Sequence, residues 1–101
     1  MTGVTRSPQL PDVPTIAESG YPGYQAYVWM GLLAPKGTPP SIVDFINREL
    51  AEVLAGQAVK SYMANSGIEI VASTPAEFGK FYRAEREQWA RVVRETGARA
   101  D

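Results

Sequence analysis

The segment PDVPTIAESGYPGYQAYVWMGLLAPKGTPP, residues 11–40, places a strongly apolar run between two groups of prolines. We call its centre, QAYVWMGLLAP, the ribbon (residues 25–35). The ribbon is rich in aromatic and branched side chains and has no regular polar alternation, which predicts a long strand buried on both faces. Gly31 within it predicts a bulge or the close approach of another backbone.

The residues before the ribbon predict an extended lead-in followed by two turns. Three prolines favour extended backbone over residues 1–14. Thr15 is predicted to cap one helical turn through IAES, with Gly20 directly after that turn. In GYPGY, Pro22 and Gly23 occupy the second and third positions of a type II turn, because the third position requires a positive φ.

Two helices are predicted after the ribbon. Thr38 as N-cap and Pro39 at the first helical position begin the first helix. Its apolar residues recur at three- and four-residue steps, and Gly56 ends it. A shorter helix is predicted around residues 59–64, with Gly67 past its end.

The segment STPAEF carries the strongest local signal in the chain. Thr74 is the predicted N-cap, Pro75 takes the first helical position, and Glu77 completes a capping box. The resulting long helix is predicted to run to about Thr96, with Gly97 ending it.

A second, short strand is predicted over IEIV, residues 68–71, from its period of two. The order is then β-α-α-β-α, which indicates an α/β fold with one long buried strand, one short strand and three helices. A two-stranded sheet is marginal alone, so the chain is expected to be a piece of something larger or part of an oligomer.

Composition excludes several classes of protein. The chain has 101 residues, which favours one domain, and a formal net charge of −1 without a basic run, which argues against nucleic acid as a partner. No apolar stretch is long enough to cross a bilayer. The first fifteen residues lack an apolar core, so no signal peptide is expected in this chain. Cysteine and histidine are absent, so the chain has no thiol nucleophile and lacks the usual general base, and no enzyme activity is predicted.

Few side chains are candidates for a binding site. Tyr27 and Trp29 share one side of the ribbon and are either core or a ligand platform. Glu18 either faces a cleft or caps a turn. Glu85 lies on the apolar stripe of the third helix, where a bond to a backbone group or a tyrosine hydroxyl is favoured over a ligand role. No metal site and no cofactor are predicted.

Three segments in order carry a family resemblance: PDVPTIAESGYPGY, WMGLLAPKGTPPSIVDFINREL and SGIEIVASTPAEFGKFYRAEREQWARVVRETG. From about Arg6 onward the chain resembles the C-terminal part of the tripartite tricarboxylate transporter substrate-binding receptors, the Bug family. The resemblance implies a two-lobed, periplasmic-binding-protein-like fold, with residues 1–24 as lead-in and inter-lobe segment. Residues 25–101 would be the C-terminal portion of the first lobe.

The resemblance also implies a function. It implies capture of a small carboxylated solute by the full-length receptor in the periplasm, membrane transporter subunits as partners, and no catalysis. Candidate ligand-binding residues are Trp29, Tyr27 and Glu18. The alternative interpretation is a stand-alone interaction module that forms a homodimer through the ribbon and binds no ligand.

Overall fold

Prolines and glycines set the boundaries of three α-helices in the computed structural model, which describes residues 1–99. The helices are α1 (Pro40–Ala55), α2 (Gln57–Asn65) and α3 (Pro75–Thr96). All three helices predicted from the sequence are therefore confirmed. No helix among residues 1–99 is both long and apolar enough to cross a membrane.

The start of α1 differs by one residue from the prediction. Pro39 is the N-cap and Pro40 begins the helix, without a side-chain cap. The hydroxyl and backbone N–H of Thr38 both donate to the carbonyl of Pro35, at 2.9 and 3.2 Å. The predicted cap by Thr38 is wrong because its hydroxyl closes the turn before the helix.

One glycine separates α1 from α2. Gly56 is extended (φ −61°, ψ 136°), and its N–H donates to the carbonyl of Val53 at 3.1 Å. The same residue is the N-cap of α2, which is longer than the predicted range 59–64. Gly67 follows α2 with a φ of 71°, as expected for a helix ending in a left-handed residue.

Both ends of α3 follow the sequence signals. The backbone N–H of Glu77 donates to the Thr74 hydroxyl at 3.2 Å, and the Glu77 carboxylate accepts from the backbone N–H of Thr74 at 2.8 Å. This confirms the predicted capping box. Gly97 is left-handed (φ 69°), and its N–H donates to the carbonyl of Val93 at 2.9 Å.

The predicted strands are wrong. No strand occurs among residues 1–99, so the α/β, β-α-α-β-α fold class is corrected to three helices joined by irregular segments. Within residues 1–99 the ribbon makes one backbone hydrogen bond to another segment, from the Ala26 N–H to the carbonyl of Thr2 at 2.9 Å, and a ladder requires a repeated series of such bonds. In IEIV, the N–H of Ile68 donates instead to the carbonyl of Met63 at 2.8 Å, and Ala72 (φ 48°) turns the chain.

The ribbon is also not buried. Val28 is 101% exposed, and no hydrophobic side chain among the described residues is fully buried. The accessible surface of 8531 Å² exceeds the about 5,600 Å² expected for a folded monomer of this mass. The radius of gyration, 16.7 Å, exceeds the about 13 Å typical of 100 residues. Large apolar surfaces are thus left open.

Packing centres on α1, which contacts both α2 and α3. The side-chain amide of Asn47 donates to the carbonyl of Ser73 at 2.9 Å and ties α1 to the residue before the capping box. The lobe boundary predicted between residues 24 and 25 stays a prediction. The last two residues of the predicted first-lobe portion (25–101), 100 and 101, lie outside the described part of the chain.

Candidate functional site

Two indoles share one carboxylate oxygen where the ribbon meets α3. Nε1 of Trp29 donates to Oε2 of Glu85 at 3.1 Å, and Nε1 of Trp89 donates to the same oxygen at 3.0 Å. Trp89 lies one helical turn after Glu85, so helical spacing supplies that contact. The sequence interpretation expected a backbone group or a tyrosine hydroxyl as partner of Glu85; the partners are the two tryptophans.

Aromatic rings surround the Trp29 side of this contact. The Trp29 ring meets Phe78, Phe81 and Tyr82 edge to face, with centroids 5.8, 5.4 and 6.0 Å apart. Each such pair contributes about 0.5–1.5 kcal/mol beyond area burial. We call the whole group the indole–carboxylate cluster: Trp29, Phe78, Phe81, Tyr82, Glu85 and Trp89. Trp29 and Trp89 remain 36% and 41% exposed, so the cluster borders solvent.

Gly31 allows the ribbon to approach α3. A methyl group at Gly31 would overlap the ring of Phe78, lying 2.9 Å from its Cε2 and closer still to its Cζ. The sequence predicted a bulge or a close approach by backbone at this glycine. The close approach is instead by an aromatic side chain.

Glu18 is held by the lead-in. Nε of Arg6 donates to both its carboxylate oxygens, at 3.2 and 3.0 Å. The backbone N–H of Thr15 donates to one of them at 2.8 Å, while the Thr15 hydroxyl accepts from the Glu18 N–H. The hydrogen bond from Arg6, followed by that from Thr15, lowers the pKa of Glu18 from 4.5 to about 2. The carboxylate thus stays charged.

Tyr27 also faces the lead-in. Its hydroxyl accepts from the backbone N–H of Val4 at 3.2 Å. Glu18 and Tyr27 are therefore both placed against residues 1–6, whereas Trp29 is placed against α3. No hydrogen bond or ring contact joins the three predicted ligand-binding residues within residues 1–99, and their role in binding stays a prediction.

A groove of about 450 Å³ lies between the turn before the ribbon and the second half of α3. We call it the Arg91 groove. Its lining residues combine amides, aromatic rings and one cation, and include no carboxylate: Gly23, Tyr24, Gln25, Ala26, Gln88, Trp89, Arg91 and Val92. A single guanidinium beside amide donors is suited to a small anion, since guanidinium and carboxylate match geometrically.

The sequence interpretation missed this groove. It names neither Arg91 nor Gln88 as a binding residue. About 65 positions separate the two sides of the groove, so no local spacing could indicate it. Within the described residues, no three His, Cys, Asp or Glu side chains come together as a possible metal site.

Comparisons with known proteins agree on one family. The model of the tripartite tricarboxylate transporter family receptor matches residues 1–98. The chain is 45% identical over 94 residues to protein BugT of Bordetella pertussis (strain Tohama I), covering 93% of this chain and 29% of BugT. It is 38% identical over 94 residues to the UPF0065 protein in the tcbD-tcbE intergenic region of Pseudomonas sp. (strain P51), covering 92% and 28%.

Two solved structures share the fold. The periplasmic binding protein BugD superposes with a TM-score of 0.80 at 35% identity, covering 95% of this chain and 33% of that one. The R. palustris protein Rpa4515, solved with adipate, gives a TM-score of 0.78 at 33% identity, covering 95% and 32%. The chain spans about a third of the length of these relatives.

Proposed function

Because this chain belongs to the tripartite tricarboxylate transporter receptor family, we propose that it forms part of a periplasmic receptor that captures a small carboxylated solute for a membrane transporter. The observation that carries the proposal is the family match over residues 1–98. The adipate bound to the R. palustris neighbour supports a dicarboxylate as the class of solute. The similarity to BugD, a periplasmic binding protein, supports the location.

In this proposal the chain contributes one region of a two-lobed receptor. Residues 1–24 are the lead-in and inter-lobe segment, and the residues from 25 onward are the C-terminal portion of the first lobe. Relatives are about three times as long, and in a protein of that length other residues could cover the exposed ribbon. No comparison favours a homodimer over covering of the ribbon by other residues of a longer chain.

The Arg91 groove is the part of this chain proposed to touch the solute. Arg91 provides the charge that opposes a carboxylate, while Gln25 and Gln88 provide amide donors. Trp29 and Tyr27 remain candidate walls for the apolar part of a solute. Glu18 would act indirectly by holding Arg6, since its own charge repels a carboxylate.

Adipate titration of the 101-residue chain tests the proposal. Amide and indole resonances of ¹⁵N-labelled chain are followed with up to 20 mM adipate, and with neutral 1,6-hexanediol as the matched ligand control. We expect shifts confined to the groove residues, 23–26, 88, 89, 91 and 92, including the Trp89 indole, with a Kd of about 1 mM or weaker. Such a Kd corresponds to about 4 kcal/mol, as suits a partial site with little preorganisation.

A matched pair of variants sharpens this test. Arg91→Gln should abolish the shifts, whereas Arg48→Gln on α1, which changes the net charge equally, should leave them unchanged. Absence of any shift at 20 mM adipate, or equal shifts with 1,6-hexanediol, would contradict the proposed solute contact. A micromolar Kd would show that a complete site lies within this chain.

A further inference from the structure

A second groove of about 450 Å³ lies on α3, on the side away from the indole–carboxylate cluster. It is lined by Arg83, Arg86, Glu87, Ala90 and Arg94. Each of these positions lies three or four residues from at least one other, and all five lie within about three turns of α3, so they share one helix face. Ala90, which has the smallest side chain of the five, lies between the arginines. We call these five residues the arginine face.

The arginine face is positive although the helix as a whole is nearly balanced. Residues 75–96 contain five cations and four carboxylates. Glu77 is engaged in the capping box, and Glu85 accepts from two indoles on the other face. Only Glu87 lines the groove beside three arginines. None of those arginines forms an ion pair within the part of the chain described by the structure.

We propose that the arginine face is a docking surface for an acidic protein surface. The inference rests on the proposed function, in which the receptor must be recognised by a membrane transporter subunit. Each of the three guanidinium groups can donate two parallel hydrogen bonds to a carboxylate. Several Glu or Asp side chains on a partner surface would supply those carboxylates. The positive charge is concentrated on this face, while the chain as a whole has a formal net charge of −1. An acidic partner is therefore attracted to this face and not to the chain as a whole.

Two other anionic partners fit this face less well. A helix that binds a lipid surface inserts its apolar side, whereas the aromatic side of α3 contacts the ribbon. Single-stranded nucleic acid is held by a basic groove with aromatic rings for base stacking, and no aromatic side chain lines this groove. An acidic protein surface requires neither feature.

The test uses a fluorescein-labelled octaglutamate peptide and the 101-residue chain, followed by anisotropy at 50 and 300 mM NaCl. We expect binding at 50 mM that weakens at 300 mM, because salt screens exposed charges. Arg83→Gln, Arg86→Gln and Arg94→Gln combined should weaken it at least tenfold. The control combination Lys36→Gln, Arg48→Gln and Lys60→Gln changes the net charge equally and should alter the Kd less than twofold.

A second variant is used if circular dichroism shows that the triple arginine variant has lost helical content. Ala90→Glu keeps every arginine, suits a helix and places a negative charge at the centre of the face, so it should also weaken binding at least tenfold. Equal weakening by both triple variants, or no binding of the peptide at 50 mM NaCl, would overturn the proposal. So would equally tight binding of phosphatidylglycerol vesicles or of single-stranded DNA.

Adipate separates this proposal from the solute-binding proposal. If 10 mM adipate displaces the peptide and Ala90→Glu abolishes adipate binding, the arginine face is a solute site and the docking proposal fails. If the peptide binds as expected while adipate shifts no resonance of residues 23–26, the docking surface stands and the Arg91 groove is rejected. Peptide binding that 10 mM adipate leaves unchanged supports the docking surface.

Discussion

Oε2 of Glu85 accepts a hydrogen bond from the indole of Trp29, 56 residues earlier in the chain, at 3.1 Å. The same oxygen accepts from Trp89 at 3.0 Å. This oxygen therefore links the ribbon to α3 by a polar contact amid aromatic rings. The contact also explains why a carboxylate occupies the apolar stripe of α3: it satisfies two indole donors at the edge of the cluster.

Loss of the Glu85 carboxylate should be visible by fluorescence, because Trp29 and Trp89 are the two tryptophans of the chain. Glu85→Ala should move the emission maximum to longer wavelength, because water replaces the carboxylate as the acceptor for both indole N–H groups. It should also lower the free energy of unfolding by about 1 kcal/mol. Glu85→Gln, which keeps an acceptor oxygen, should have a smaller effect. Glu87→Gln is the control, and an equal change in that variant would contradict the assignment.

A side chain at position 31 should separate the ribbon from α3. Gly31→Ala places a methyl group within the Phe78 ring, so the ring must move. Overpacking of this kind typically costs about 1–3 kcal/mol, measured here as a lower urea midpoint. Adding Phe78→Leu to Gly31→Ala should recover part of the loss. If the double variant is as unstable as the sum of the single variants, the clash is not the cause.

Removal of the α3 cap should shorten that helix. Thr74→Ala deletes the hydroxyl that accepts from the Glu77 N–H and should cost about 1 kcal/mol. Circular dichroism and thermal unfolding measure the effect. Thr96→Val provides a control at the other end of α3, where the threonine hydroxyl donates to the carbonyl of Val92. Equal losses from both substitutions would show that the capping box has no special role.

The stability of the lead-in should depend on pH through the ionisation of Glu18. Its pKa is lowered to about 2 by the hydrogen bonds from Arg6 and Thr15. The carboxylate therefore stabilises the lead-in fully above pH 4.5, and this contribution is lost as the pH falls from 4.5 towards 2. Carboxyl ¹³C shifts followed by NMR should give a midpoint near 2. Arg6→Gln should raise the midpoint towards 4.5; an unchanged midpoint would reject Arg6 as the main cause.

The helices could be predicted from the sequence because their signals are local. A capping box joins residues three apart, and a left-handed glycine ends a helix through hydrogen bonds within the same turn, as at Thr74, Glu77 and Gly97. The family was equally readable, since it rests on the order of short segments. The N-cap of α1 was misplaced because the Thr38 hydroxyl donates to the carbonyl of Pro35 in the preceding turn and accepts from no helical N–H.

The strands and the binding surfaces could not be derived in the same way. An apolar run such as the ribbon predicts burial, but a strand exists only where a second backbone completes the ladder. The Arg91 groove and the indole–carboxylate cluster join residues that lie far apart along the chain. By itself, therefore, the sequence determined the three helices, both ends of α3 and the family. The tertiary structure alone decided the contact between Trp29 and Glu85 and the close approach at Gly31, because those depend on which helix face meets the ribbon.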